Sequence, residues 1–305
     1  GAKGAATVTA AAGGLRATAS FAIPEALTSI TIKHEGKNTA LSSLRVAGGS
    51  TTELTATGWY YGNKVYSADT SFTWSVSDAL GTIDEDGTFT AVQTGRDVTG
   101  TLTVTYGETS CTLPVTVGSS QPFDDTKGHW AESYITELYY AGTLQGSEKN
   151  GKLYYRPDAS MTRQEFIVAM MRYLGTDLSA YASVQLPFDD SGSIASWAKS
   201  AMQAAYQLGY LTGSKTNGKL LAKPGSTISR QEAMTILSRT KDFADADLNV
   251  LSAFSDSSKI ADWARTALAQ MTQQKIISGS KGKLNPTGKV TRAEVAKMLY
   301  MLSEN

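Results

Sequence analysis

Three arginines, each one residue after a hydroxyl and two residues before a glutamate, are the groups in this chain best suited to meeting an anion. Met161, Thr162, Arg163, Gln164 and Glu165 recur as Ile228, Ser229, Arg230, Gln231, Glu232 and again as Val290, Thr291, Arg292, Ala293, Glu294. A hydroxyl followed three residues later by Glu is a capping box, so each copy should open a helix. The arginine sits badly in that scheme, because the first helical turn favours anions and disfavours cations. Repeated three times, the placement points to a task. A guanidinium beside free N–H groups at a helix start makes a receptor for carboxylate or phosphate. Chance surface charge is the bland alternative.

The rest of the chain must position these groups. At 305 residues and 41% hydrophobic content it is long enough for two domains with real cores. Basic and acidic residues balance at 28 each, so no overall field argues for nucleic acid. Split at residue 122, the first part has 7 basic and 10 acidic residues, a net of −3, and the second 21 and 18, a net of +3. The tilt favours an anionic partner for the second part. Cys111 is alone, which excludes an internal disulfide, and with only His34 and His129 besides, no metal site is expected. No stretch has the apolar length of a membrane span, and no signal pattern opens the chain. With Gly1 read as a scar, the expectation is a piece excised from a larger mature protein.

Residues 1–25 read as two strand-like runs around Gly13 and Gly14, a remnant of a preceding segment or extra strands. Seven short alternating runs follow: Leu27 to Lys33, Ser43 to Val46, Glu53 to Thr57, Ser71 to Val76, Gly87 to Val92, Gly100 to Tyr106 and Ser110 to Val117. That spacing suits an all-β sandwich. Within it, Phe72, Thr73, Trp74, Ser75, Val76 and the later run from Gly81 through Ile83, Asp84, Glu85, Asp86, Gly87 to Phe89 and Ala91 resemble the bacterial immunoglobulin-like group 2 domains of surface proteins. The resemblance implies an Ig-like β-sandwich over 26–118. Asp84, Glu85 and Asp86 invite a calcium reading, but a turn before Gly87 accounts for them, and further spaced oxygen ligands are lacking. Trp59, Tyr60 and Tyr61 suggest either a carbohydrate platform or strand packing, and packing is the better reading.

After a linker at 119–122 the chain repeats itself, in units of about 123–185, 186–250 and 251–305. Phe123 with Asp125, Phe188 with Asp190 and Phe254 with Asp256 open the units, and Trp130, Trp197 and Trp263 follow, each succeeded by Ala. A first helix should start near each Trp, with Ser196 and Asp262 as N-caps and His129 a poorer one. Ala131, Ile135 and Leu138 would then face the core, as would Ala198, Met202, Ala205 and Ala264, Leu268, Met271. Gly142 and Gly209 should end their helices as left-handed caps. Phe166, Met170 and Leu174 mark the inner stripe of the second helix in the first unit.

Phe-x-Asp, Trp-Ala, Gly-x-x-x-Gly (Gly142 to Gly146, Gly209 to Gly213), Pro and Thr-Arg-x-Glu in this order resemble the surface-layer homology (SLH) repeat of bacterial cell-envelope proteins, over Phe123 to Leu302. The resemblance implies a mainly α pseudo-threefold helical prism over 123–305, so that the whole is a multidomain chain with the sandwich first. It implies grooves between lobes that bind secondary cell-wall polysaccharide bearing a pyruvylated amino sugar. It also implies a secreted monomer held at the bacterial cell surface, in the wall or S-layer, without cofactor, nucleic acid or membrane insertion.

Carried over by position, Arg163, Arg230 and Arg292 contact the carboxylate. Glu165, Glu232 and Glu294 hold the helix start and secondarily line the groove. Trp130, Trp197 and Trp263 are ligand candidates, though core is the better expectation for a Trp opening a helix. Asp125, Asp190 and Asp256 are turn formers or groove acceptors, and Gly142 and Gly209 combine capping with close approach. The third unit has Lys275 where the others have Gly, so left-handed geometry there costs about 1 kcal/mol or is abandoned. The expectation is that one groove binds poorly.

An enzyme is the rival reading. No nucleophile elbow, P-loop or dinucleotide fingerprint is present. Ser196 and Lys199 form an S-x-x-K whose register holds Asp262 and Arg265 in the third unit, and the match is accidental. Asp124, Asp125, Asp189 and Asp190 could pair as glycosidase carboxylates, but they sit in repeated turn positions. A non-catalytic anchor is the expectation. A surface enzyme such as a glycosidase, with its catalytic part elsewhere, or a self-assembling S-layer subunit is the alternative for the parent protein.

Overall fold

The computed structural model describes residues 4–23, 27–60, 64–65 and 72–303. The chain divides into two compact units, Gly1–Pro122 and Phe123–Asn305.

The first unit is built from strands. Gly4–Ala12 (β1) and Leu15–Ile23 (β2) form an antiparallel hairpin around Gly13 and Gly14, with Val8 and Leu15 exposed. Two sheets follow. One contains Ser29–His34 (β3), Thr51–Tyr60 (β5), Thr88–Ala91 (β9) and Gly81–Ile83 (β8) in the order β3-β5-β9-β8, with Lys64–Val65 (β6) on β5. The other runs Leu44–Ala47 (β4), Thr109–Gly118 (β11), Val98–Tyr106 (β10), Thr73–Val76 (β7), with β4 parallel to β11. Alternation decides which residues face inward: Leu102, Val104, Leu113, Val115 and Val117 are buried with Ile32, Leu54, Leu80 and Phe89, each such burial being worth about 1.5–3 kcal/mol. Thr103 and Thr112, on the outer face, share a 3.1 Å hydroxyl contact.

The acidic run forms a turn: Asp84 Oδ1 accepts the N–H groups of Asp86 and Thr88, and the Thr88 bond leads in holding its carboxyl below the usual range. Trp59 is half-buried, its Nε1–H on Thr31 Oγ1. Tyr61 and Ser71 lie outside the described residues.

In the second unit each repeat supplies two helices. The first helices are Glu132–Tyr140 (α1), Lys199–Gln207 (α3) and Asp262–Gln273 (α5); the second are Arg163–Tyr173 (α2), Arg230–Leu237 (α4) and Arg292–Ser303 (α6). Short hairpins, Ser147–Lys149 (β12) with Lys152–Tyr154 (β13) and Ser214–Thr216 (β14) with Lys219–Leu221 (β15), join the helices of the first two repeats; a single Ser280–Lys283 bridge serves the shorter third. The residues expected on the inner stripes are buried in one core shared by the three repeats, with Leu174 packed at its edge.

The second helix of each repeat packs on the first helix of the next: α2 on α3, α4 on α5 and α6 back on α1. The segments before the second helices close the same cycle. Met161 N–H donates to Val290 O, Val290 N–H to Ile228 O, and Ile228 N–H to Met161 O, and the three side chains are buried.

His129 serves the start of the first of these helices as expected, its Nδ1 accepting Ala131 N–H at 3.2 Å, but the first helices of the other two repeats start differently from expectation, since no side chain of Ser196 or Asp262 caps them. Gln164 Oε1 accepts Ala195 N–H and Gln231 Oε1 accepts Ala261 N–H across the repeat boundary. Where Ala293 replaces that glutamine, Gly128 N–H is taken by Glu132.

Candidate functional site

The capping boxes form. Thr162 with Glu165 and Thr291 with Glu294 exchange both bonds, while the Ser229 N–H and hydroxyl both reach Glu232 Oε2. The premise of free helix N–H groups fails. Arg163 N–H donates to Ser226 O and Gln164 N–H to Pro224 O; Arg230 and Gln231 do the same to Gly288 and Pro286, and Arg292 and Ala293 to Ala159 and Pro157. Each helix start is sealed by the carbonyls of the neighbouring repeat, so these amides are already bonded within the fold.

The arginine side chains are not equivalent. The Arg163 guanidinium pairs with Glu232 of the next repeat, and Arg230 Nη1 with Glu294 Oε1 at 2.7 Å. Both Nε–H groups are buried and have no acceptor on the protein. Burial raises the pKa of Glu232, but its bonds to Ser229 and the charge of Arg163 outweigh that and hold the carboxyl below its ordinary value. By cyclic order Arg292 should meet Glu165. It instead donates Nε–H to Tyr155 O at 2.7 Å and Nη2–H to Gln145 O at 2.8 Å, and lies 4.5 Å from the centre of the Tyr155 ring. Tyr155 is buried, its hydroxyl bonded to Arg292 O, and burial drives its pKa up against the opposing charge of Arg292. The same position holds Ala222 and Leu284 in the other repeats.

A cleft of about 330 Å³ opens beside Arg163, lined also by Ala222, Glu232, Thr235, Arg239 and Trp263. Arg239 is anchored on Tyr210 O, and burial lowers its pKa. Trp130, Trp197 and Trp263 are 55%, 58% and 58% exposed, which corrects the expectation of core tryptophans. At the very start of the first helix, the ring precedes the inward stripe and points outward. Trp263 lines the cleft of Arg163; the cyclic order assigns Trp130 to Arg230 and Trp197 to Arg292.

The aspartates resolve to turn formers. Asp125 accepts the N–H groups of Tyr155 and Arg156, Asp190 those of Ala222 and Lys223, and Asp256 those of Leu284 and Asn285. Arg156, Lys223 and Asn285 have φ of 60, 51 and 51°, and the carboxylates hold this left-handed corner before each proline. Burial opposes the charge on Asp256, yet the amides of Leu284 and Asn285 keep its carboxyl below the usual range.

Gly142 and Gly209 have φ of 76 and 78° with open space at the Cβ position, so capping is their role and close approach is not. Close approach belongs to Gly146, where a Cβ would lie 2.4 Å from the Phe123 ring. Lys275 keeps the left-handed turn at φ 56° with its side chain exposed, so the geometry is retained.

The sequence model of the S-layer homology domain matches at 122–167, 187–234 and 253–296. Each of the three repeats thus matches the S-layer homology domain, which is an anchoring module rather than a catalytic one. Among curated proteins it is similar to the amylopullulanase of Thermoanaerobacterium thermosulfurigenes, 28% identical over 207 residues that cover 66% of this chain and 10% of that protein. It is likewise similar to exoglucanase XynX of Acetivibrio thermocellus, at 28% over 76% of this chain and 21% of that protein. The surface-layer 125 kDa protein of Lysinibacillus sphaericus is 32% identical over 41% of this chain and 10% of its own length. The chain thus spans a tenth to a fifth of the length of these relatives.

Proposed function

We propose that the second unit anchors its protein non-covalently to the bacterial cell wall, at the cell surface, by binding an anionic secondary cell-wall polysaccharide in the clefts between repeats. The observation that carries this is the buried, unpartnered Nε–H of Arg163 at a cleft that also holds Arg239 and the exposed ring of Trp263. A guanidinium edge of that kind donates to a carboxylate in a fork, and a sugar ring can rest on an indole face. A pyruvate ketal on an amino sugar supplies both. The cyclic packing of six helices supports a pseudo-threefold prism.

The strand unit acts as a spacer. Its sheet orders support an immunoglobulin-like sandwich, with β3-β5-β9-β8 in the place of strands A, B, E, D and β11-β10-β7 in that of G, F, C. The parent protein is a surface enzyme such as a glycosidase or an S-layer lattice subunit. The relatives named for glycan cleavage support the first, the surface-layer relative the second. Light scattering separates them: a lattice subunit self-associates, whereas an anchored fragment stays monomeric.

Co-sedimentation with purified wall sacculi tests the anchor. Binding should disappear on removal of the polysaccharide and in the Arg163→Ala, Arg230→Ala double variant. Binding indifferent to both moves the search to a protein partner.

A further inference from the structure

We infer that the three clefts are unequal by construction: those of Arg163 and Arg230 each take one carboxylate, whereas Tyr155 closes the cleft of Arg292 from within. For the identity of the ligand this rests on the anchor reading above; for the closure itself it rests on the free protein.

Three observations carry it. The Nε–H groups of Arg163 and Arg230 are buried without an acceptor, which is costly unless something else supplies one. Arg292 has no such need, because the carbonyls of Tyr155 and Gln145 take its Nε–H and Nη2–H. The Tyr155 ring also lies against the guanidinium, a cation–π arrangement that the Ala222 and Leu284 side chains cannot make. A carboxylate arriving at Arg292 must break two hydrogen bonds already made. At Arg163 or Arg230 it gains a donor that has none and need only share or displace Glu232 or Glu294. The asymmetry comes from the first repeat, through Tyr155, and not from Lys275, whose backbone keeps the shape of its glycine counterparts.

Calorimetry on the full chain tests this, with the methyl glycoside of N-acetylmannosamine carrying a pyruvate ketal as the probe. Two sites per chain are expected. Arg163→Ala and Arg230→Ala should each remove one, Arg292→Ala should remove none, and Tyr155→Leu, which copies the third repeat, should add a third. Three sites in the parent chain, or loss of a site with Arg292→Ala, overturns the inference.

Hydrogen exchange at the arginine Nε–H groups, followed by NMR in the free protein, reads the closure without any ligand. Arg292 Nε–H should exchange at least tenfold more slowly than those of Arg163 and Arg230, and Tyr155→Leu should abolish the difference. Equal exchange rates in the parent chain sink the closure. Absence of probe binding with the slow Arg292 signal intact rejects the ligand and upholds the closure.

Discussion

The cleft at Arg163 and the equivalent position at Arg292 start from the same capping-box pattern and end in different states. Both arginines open a helix behind a capping box, and both helix starts are sealed by carbonyls of the next repeat. Beside the Gln164-to-Ala293 change within the pattern, they differ at a position outside it. Ala222 leaves room for Arg163 to reach Glu232, whereas Tyr155 offers a ring and a carbonyl that capture Arg292. The identity of a binding residue is therefore insufficient to define a binding site. What counts is whether its hydrogen-bonding capacity has already been spent inside the fold.

The sharpest way to break the comparison is to transplant the filler. Ala222→Tyr puts a ring at a position that is 1% exposed, and overpacking should cost about 1–3 kcal/mol of stability. It should also shift the Arg163 side-chain resonances toward those of Arg292. A normal melt with unchanged arginine signals would show that residue 222 does not govern the pair.

A smaller effect comes from acid. Because the Glu232 carboxyl is held below its ordinary value, its contribution is complete above the unfolded-state pKa near pH 4.3 and fades as pH falls through the folded-state pKa, since the unfolded chain takes up the proton first. Glu232→Gln should lose about 1 kcal/mol at pH 7 and converge on the parent chain in acid. Glu165→Gln, which disturbs a cap but no ion pair, should lose less. Thermal melts across that range decide it, and equal losses would mean the ion pair adds nothing.

The smallest change is Lys275→Gly. Relieving a left-handed lysine while loosening the unfolded chain should net about 0.5 kcal/mol of stabilisation, a rise of roughly 1–2 °C in Tm. A fall in Tm would mean that the lysine side chain makes a compensating contact.

The starts of the second helices were legible in the sequence because capping is local: Thr162 and Glu165 meet within one turn. The inner stripes of the helices were legible for the same reason. The Arg–Glu pairs were not, since their members stand 69 and 64 positions apart, and the box accounted for the glutamate by itself. Trp exposure was misread because a ring at the first position of a helix has no periodic partner to fix its direction. Asp125, Asp190 and Asp256 bond backbone amides 28 to 33 residues away, which no spacing rule reveals. Tyr155 was visible once the repeats were aligned, but its bulk meant little until the arginine was seen to lie on it.

The ring of backbone bonds through Met161, Ile228 and Val290 bears on how the chain reaches its native state. A linear array of repeats gains stability unit by unit and tolerates loss of an end. Here the last helix closes on the first, with Tyr155 bonded to Arg292 across 137 positions, so among the described residues the three repeats form a closed cycle rather than an open row. Folding of this unit should behave as a single cooperative transition whose slow step is closure of that longest loop. A chain cut before α6 would lose Arg292 and the Glu294 partner of Arg230, leave two seams open at once, and forfeit even the cleft of Arg163, which α6 does not itself line.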